Sequence, residues 1–366
     1  MASASEAIKQ VERSQPRAYW LFSARADLGV FLGSFLLSLM MLAVGAQTGV
    51  LYDETPDWAW VPAILLIDVA HVWATGFRVY LDSDELKRRP WLYVLAPVLG
   101  YVLGVALYSE GDFLFWRTLA YLAVFHFVRQ QYGWVALYRA RAGEKGIAGK
   151  LIDTAAVYGA TVYPLIFWHA NMPREFSWFI ANDFTRLPEL VAIIAEPVYW
   201  TVMLAYASRS LYRFIVKREA NPGKDIVVLS TAVCWYVGIV AYNSDYAFTV
   251  TNVIIHGVPY MALIYWYGRG RLEQKREPGV FRLFARGPAI FLLILWSVAF
   301  AEEMFWDRGV WGERSWLFGG RVDIETIKMF IVPLLALPQI THYVLDGFIW
   351  RRKSNPALSI ASDPRD

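Results

Sequence analysis

Apolar runs of about 20 residues recur along the whole chain between short polar connections, and they constrain the fold more than any other feature. A helix rises 1.5 Å per residue, so each run is long enough to cross the roughly 30 Å of hydrocarbon in a bilayer. Helices are expected because the open edge of a sheet cannot lie in lipid. The composition supports this expectation. The hydrophobic fraction is 57%, whereas soluble domains average about 45–50%, and the charged fraction is 18%, whereas soluble domains average roughly 25%. The sequence therefore predicts an all-α, polytopic transmembrane helical bundle.

The apolar runs predict about ten spans in a single integral membrane domain that covers residues 1–366. The spans lie at residues 28–46, 58–79, 91–108, 113–137, 151–168, 190–208, 226–243, 246–267, 288–304 and 328–350. A polar N-terminal segment at 1–26 precedes them, and a tail at 351–366 follows them.

Lysine and arginine are distributed unevenly between alternate connections. Of 35 such residues, 26 lie in the N-terminal segment, the tail and every second connection, whereas only five lie in the other connections. The five are Arg174, Arg186, Arg308, Arg314 and Arg321. Because cytoplasmic loops are enriched in basic residues, we expect an even number of spans in the plasma (inner) membrane, with both termini cytoplasmic. The same asymmetry explains the net charge of +3, so we expect no nucleic-acid partner. We expect the lipid bilayer to be the partner of the chain.

Four of the five histidines lie inside predicted spans, on spans two, four, eight and ten. They are His71, His126, His256 and His342. All four spans run from outside to inside in the predicted topology, and each histidine lies 8 to 11 residues from the cytoplasmic end. These positions correspond to depths of about 12 to 17 Å, near the midplane, so the four rings are expected to meet if their helices adjoin. His169, at the outer end of span five, is expected to be an interfacial histidine with no special role.

Each of the four histidines has polar neighbours at helical spacing. The four sets are Asp68, His71, Thr75 and Arg78; His126 and Gln130; Thr249, Asn252 and His256; and Gln339, His342 and Asp346. Residues three and four apart share a helix face. An ionisable group at this depth costs at least about 2.5–3.5 kcal/mol when it faces lipid. We therefore expect the four polar stripes to face a common interior.

Four buried imidazoles suit a metal ion. Neutral imidazole binds iron, copper or zinc, and its second nitrogen usually contacts a carboxylate or carbonyl that fixes the ring. The sequence thus predicts the four intramembrane histidines as metal ligands. The residues predicted to orient them are Asp68, Gln130, Asn252 and Asp346. With carboxylates nearby and a single cysteine, non-haem iron(II) fits best, while zinc and copper stay open.

Three other interpretations of these histidines stay open. Pairs of membrane histidines can ligate a b-type haem. Intramembrane Asp, His and Arg residues can form the proton relay of a proton- or ion-coupled transporter. Polar side chains can also serve only to join neighbouring helices by hydrogen bonds.

Four short motifs carry a resemblance to a known family. They are HVWAT at 71–75, FHFVRQQYG at 125–133, NVIIHGVPY at 252–260 and THYVLDGFIW at 341–350. Together they resemble the Brp/Blh-type membrane carotene dioxygenases, an all-helical family thought to bind non-haem iron through histidines on several spans. The resemblance implies a membrane iron oxygenase that acts on a lipophilic, carotenoid- or lipid-like substrate.

Several other polar residues also lead to expectations. Glu302 and Glu303, at the outer end of span nine, are expected to be solvated. Arg129 lies deep enough in span four to need an anion, for which Asp68 or Asp346 would serve. Asp153, at the start of span five, is expected to interact with the helix dipole.

The two longer outside loops are rich in tryptophan and phenylalanine. They cover residues 169–189 and 305–327. We expect them to form an aromatic belt at the membrane interface, with a lid over a substrate entry as the alternative.

Overall fold

The structure is a computed structural model that describes residues 19–274 and 279–350. Within these ranges there are helices and connections but no strand. The ten long helices among the described residues are α1 (Ala24–Thr48), α2 (Asp57–Arg78), α3 (Pro90–Ser109), α4 (Asp112–Arg141), α5 (Ile147–Ala170), α6 (Glu189–Ile215), α7 (Pro222–Ala241), α8 (Asp245–Gln274), α9 (Pro288–Trp311) and α10 (Glu325–Ile349). The C-terminal tail and residues 1–18 of the N-terminal segment lie outside the described ranges.

Nine of the long helices in the described ranges, all except α4, are long and apolar enough to cross a membrane. The predicted all-α, multi-pass membrane bundle is therefore confirmed. Each predicted span overlaps one of the ten helices, and α4 is set apart by its polar content, which includes Arg117, Gln130 and Gln131. The count of ten spans and the cytoplasmic position of the termini stay predictions.

The connections gather at two ends of the bundle. We call the first the acidic end, which comprises residues 49–56, 110–111, 171–188, 242–244 and 312–324. We call the second the basic end, which comprises residues 79–89, 142–146, 216–221 and 279–287. At the acidic end, the Thr55 hydroxyl donates to Asp245 at 2.6 Å, and the Glu175 amide donates to Asn243 at 2.9 Å. These contacts join segments that are far apart in the chain at this end of the bundle.

The bundle is organised around α8. This helix is almost entirely buried, whereas α3 and α6 expose most of their apolar residues at the periphery. Large side chains such as Leu103, Leu204 and Phe214 are exposed there. An exposed apolar surface of this kind suits contact with lipid chains rather than with water.

Three of the central helices are irregular near the predicted midplane. In α2, residues Val61–Val69 form π-helical turns, a feature often found at functional sites. In α8, the regular helix is interrupted at Val253, three residues before His256. In α10, it is interrupted at Ala336, and Pro338 follows in the first turn of the new segment, where a missing N–H is tolerated. These irregularities set the direction of the side chains that follow them.

Candidate metal centre

The four intramembrane histidines converge at the centre of the bundle. They are His71 on α2, His126 on α4, His256 on α8 and His342 on α10. Each offers a ring nitrogen, and these four nitrogens all lie within 4.8 Å of one another. The predicted meeting of four helices at one depth therefore occurs, and the group could hold a metal ion.

The closest nitrogens lie in two pairs. Nε2 of His256 lies 3.1 Å from Nε2 of His71, and Nε2 of His342 lies 3.1 Å from Nε2 of His126. Two nitrogens bound to one ion at about 2.0–2.1 Å lie about 2.9–3.4 Å apart, for bond angles between 90° and tetrahedral. The observed pair spacing therefore falls within the range that one ion requires.

Aromatic rings hold the imidazoles in place. Phe127 stacks on His256 with ring centroids 3.5 Å apart and an angle of 8° between the planes. Tyr343 stacks on His126 at 5.0 Å and 30°. All four histidines are at most 2% exposed. The four rings are thus shielded from solvent and have little freedom to turn.

Three of the four Nδ1 atoms face a polar side chain away from the centre. Nδ1 of His71 lies 3.6 Å from Oδ1 of Asp68, and Nδ1 of His126 lies 3.6 Å from Oδ2 of Asp346. Both distances exceed that of an ordinary hydrogen bond, so the contacts are electrostatic. Nδ1 of His342 lies 2.6 Å from Oγ1 of Thr75. With Nδ1 directed outward, the Nε2 atoms are free to face one another.

The two predicted orienting amides contact the backbone of α8 rather than a ring. The Gln130 amide donates to the carbonyl of His256 at 2.8 Å. The Asn252 amide donates to the carbonyl of Phe248 at 3.0 Å. Nδ1 of His256 and the side-chain oxygens of both amides are buried without a hydrogen-bond partner in the described part of the chain.

Thr75 was not predicted as a partner of a histidine. The sequence places it on the polar stripe of His71, but its hydroxyl contacts His342 on another helix. Its oxygen also lies 2.9 Å from the hydroxyl of Tyr260, so a polar chain connects α8, α2 and α10. The only signal in the sequence was the presence of Thr75 on a stripe that points inward.

The predictions for Glu302, Glu303 and Arg129 are wrong. The two glutamates are buried, at 6% and 8% exposure, because this end of α9 packs against α2. Glu302 accepts hydrogen bonds from the indole N–H groups of Trp73 and Trp306. Arg129 is exposed and donates to the Tyr158 hydroxyl at 2.5 Å. Its side chain therefore points out of the core, and its partner is this hydroxyl rather than an aspartate.

Asp153 and His169 lie outside the histidine group. Asp153 is fully buried at the basic end, where Arg209 and Lys224 approach it at 2.8 and 3.0 Å, so it belongs to an ion network rather than to the helix terminus alone. His169 contacts the Tyr121 hydroxyl at 3.1 Å and the Leu165 carbonyl at 2.6 Å.

No protein-family model matches the chain, and no curated protein or solved structure is similar to it.

Proposed function

We propose that the protein is an integral membrane metalloprotein, a non-haem iron oxygenase whose metal is held by the four central histidines. The observation that carries this proposal is the convergence of the four ring nitrogens within 4.8 Å of one another. Imidazole is a good ligand for iron, copper and zinc alike. The resemblance of the four motifs to membrane carotene dioxygenases favours iron among the three.

The charges around the histidines support a divalent ion. Four neutral imidazoles would supply no charge, and Asp68 and Asp346 in their ionised forms would supply two negative charges beside His71 and His126. Within the described chain, no lysine or arginine forms an ion pair with either aspartate. A dication at the centre would therefore make the assembly neutral. Neutrality matters here because an uncompensated charge is costly at membrane depth.

The protein's own residues would fix the site. Asp68 and Asp346 would hold the Nδ1 protons of two rings outward, and Thr75 would hold the ring of His342. Phe127 and Tyr343 would exclude water and prevent the rings from turning. Iron bound there would supply oxidation chemistry with dioxygen, while the protein supplies a dry and shaped site.

A haem fits this arrangement poorly. A bis-histidine haem needs two axial imidazoles and a planar macrocycle between them. Here the other two histidines place their nitrogens in the same small volume, within 4.8 Å of the first pair. The macrocycle would have to occupy that volume, so the geometry favours a single ion over haem.

The contacts of Arg78 argue against a transport path through the site. Arg78 is fully buried between the histidines and the basic end. Its guanidinium lies 2.7 Å from Glu85, 3.1 Å from the Ile349 carbonyl and 3.3 Å from the Tyr267 hydroxyl. These contacts fill the interior of the bundle between the histidines and the basic end. This arrangement suits an enzyme whose site is reached from the acidic end only.

Metal analysis of the purified full chain tests the proposal. We expect about one equivalent of iron per chain, and no Soret band in the visible spectrum. The double substitution His71→Ala/His256→Ala should abolish metal binding. His169→Ala is the matched control, because this histidine lies outside the group, and it should leave the metal content unchanged. Less than about a tenth of an equivalent of iron, copper or zinc in the wild-type protein would overturn the proposal.

A further inference from the structure

A cavity of about 490 Å³ lies between the acidic end and the histidine group. Its floor includes Asp68, Asn252 and Gln339, each one helical turn from a central histidine on the same helix, and Phe127, which stacks on His256. Its upper wall is formed by connections of the acidic end, among them Glu175 and Glu313. This volume is within the range of small-molecule sites, about 300–1,000 Å³.

The lining of the cavity is acidic and aromatic at once. Seven of its residues are Asp or Glu and nine are Phe or Trp, whereas Arg314 is the only cation among the described residues that line it. Carboxylates attract positive charge, and the faces of aromatic rings do the same through their quadrupoles. The wall already holds one cation in this way, because the Arg314 guanidinium lies 3.8 Å from the ring centre of Trp60.

Two buried side chains on the cavity wall each leave one oxygen atom without a partner in the described chain. Asn252 and Asp307 are each 2% exposed, and Oδ1 of Asn252 and Oδ2 of Asp307 accept no hydrogen bond. Both atoms are acceptors, so they require a donor or a positive charge. The lone pairs of these two oxygens add negative potential to the cavity wall, which favours a cation in the cavity.

We propose that this cavity binds a small organic cation with an ammonium group and holds it beside the four-histidine centre. The proposal that the cation binds is argued from the cavity alone. That the bound cation reacts at the four-histidine centre rests on the proposed function. The aromatic lining favours an organic cation over a hydrated metal ion, since cation–π attraction acts on a cation that lies against a ring face. The seven acids favour it over the lipophilic substrate that the motif resemblance implies, because a neutral apolar molecule would desolvate them without compensation.

Choline and its neutral isostere, 3,3-dimethyl-1-butanol, form the matched pair of probes. Binding to the purified full chain is measured by tryptophan fluorescence and calorimetry at constant ionic strength. We expect saturable binding of choline that is at least tenfold tighter than binding of the alcohol. Glu303→Gln, on the cavity wall, should weaken choline binding at least tenfold. Glu110→Gln makes the same change at an exposed position of the acidic end away from the cavity, and it should have no effect.

Two further measurements keep the result interpretable. Should Glu303→Gln fail to fold, Glu175→Gln replaces an exposed acid of the same wall and should weaken choline binding by severalfold. Metal-free wild-type protein, prepared with a chelator, should still bind choline saturably and in preference to the alcohol, so that loss of the metal and loss of the cation site are distinguished. Equal affinity for choline and the alcohol, indifference to the acid substitutions, or displacement of choline by an equimolar divalent metal ion would each overturn the proposal.

Discussion

Oδ1 of Asp68 lies 3.6 Å from Nδ1 of His71, and the same side chain forms part of the cavity floor. Asp68 therefore connects the histidine group with the cavity at the acidic end of the bundle. Its helix is π-helical at this position, which displaces Asp68 from the regular α-helical course while His71 lies in the regular segment that follows. A carboxylate in this place affects both the charge at the metal site and the charge of the cavity.

Removing the charge of Asp68 or Asp346 should weaken the metal site. Asp68→Asn and Asp346→Asn each leave a similar shape but remove one of the two charges that would balance a dication. We expect each to lower metal affinity by about 10- to 100-fold, as is typical for residues that orient metal-bound histidines. The measurement is a chelator competition with the loaded full chain.

Asp323→Asn is the matched control for both variants. Asp323 is exposed in the connection between α9 and α10, far from the site along the chain, and its loss should not change metal affinity. If Asp68→Asn and Asp346→Asn retained wild-type affinity, the contacts of Asp68 and Asp346 with their histidines would have no role in binding.

Gly257 allows α8 to approach α2 beside the histidines. A Cβ at this position would lie 2.6 Å from Cγ2 of Ile67 and 3.1 Å from its carbonyl oxygen. Because a backbone atom cannot move aside cheaply, Gly257→Ala should separate α8 from α2 and lengthen the distance between His256 and His71. We expect the variant to lose more than half of its bound metal.

Gly270→Ala provides the control on the same helix. A Cβ at Gly270 would meet nothing within 4 Å, so this change should leave metal content unaffected. Full metal content in Gly257→Ala would show that the close approach of the two helices is not needed for the site.

The shared depth and the inward direction of the histidines could be predicted because their causes lie within single helices. The depth of His71 or His342 follows from its distance to the end of an apolar run, and the polar stripe shows which face points inward. Thr75 shows the limit of this reasoning. Its stripe indicates that it faces the interior, but its contact with His342 depends on how α2 packs against α10, which no pattern within one helix contains.

The surroundings of the acids were harder to predict. Glu302 and Glu303 follow an apolar run, so the sequence favours water around them. Their burial comes from distant parts of the chain, including Trp73, whose indole donates to Glu302. The acidic cavity likewise combines residues from several connections of the acidic end and could not be foreseen from any one of them.

Glu144 should make stability depend on acid pH. It lies in the connection between α4 and α5 at the basic end. Burial alone raises the pKa of Glu144, but hydrogen bonds from Arg213 and Asn221 and the charge of Lys224 outweigh it and lower the pKa from 4.5 to about 2. A carboxyl with a lowered folded-state pKa stabilises the fold fully above about pH 4.5 and loses this effect as the pH falls toward 2.

Thermal unfolding of the wild type and of Glu144→Gln between pH 7 and pH 3 measures this effect. We expect the variant to unfold at a lower temperature at pH 7, with a difference that narrows below about pH 4.5. Glu325→Gln is the control, because Glu325 is 82% exposed, and it should match the wild type throughout. A difference between wild type and Glu144→Gln that stayed constant with pH would contradict the expected titration.

Arg78 should be essential for stability at the basic end of the bundle. Its buried guanidinium pairs with Glu85 and donates to the Ile349 carbonyl and the Tyr267 hydroxyl. Arg78→Ala would leave these groups without their common donor. Breaking a buried ion pair by removing one partner costs about 3–5 kcal/mol, and the low end applies here because Arg88 also contacts Glu85.

Unfolding of Arg78→Ala in detergent, followed by circular dichroism, measures this loss. Lys87→Ala is the matched control, since Lys87 is an exposed cation at the same end, and its substitution should cost less than about 0.5 kcal/mol. The double variant Arg78→Ala/Glu85→Gln should recover part of the loss, because it removes the buried charge that Arg78 balances. Equal stability of Arg78→Ala and Lys87→Ala would show that the contacts of Arg78 do not hold this end of the bundle together.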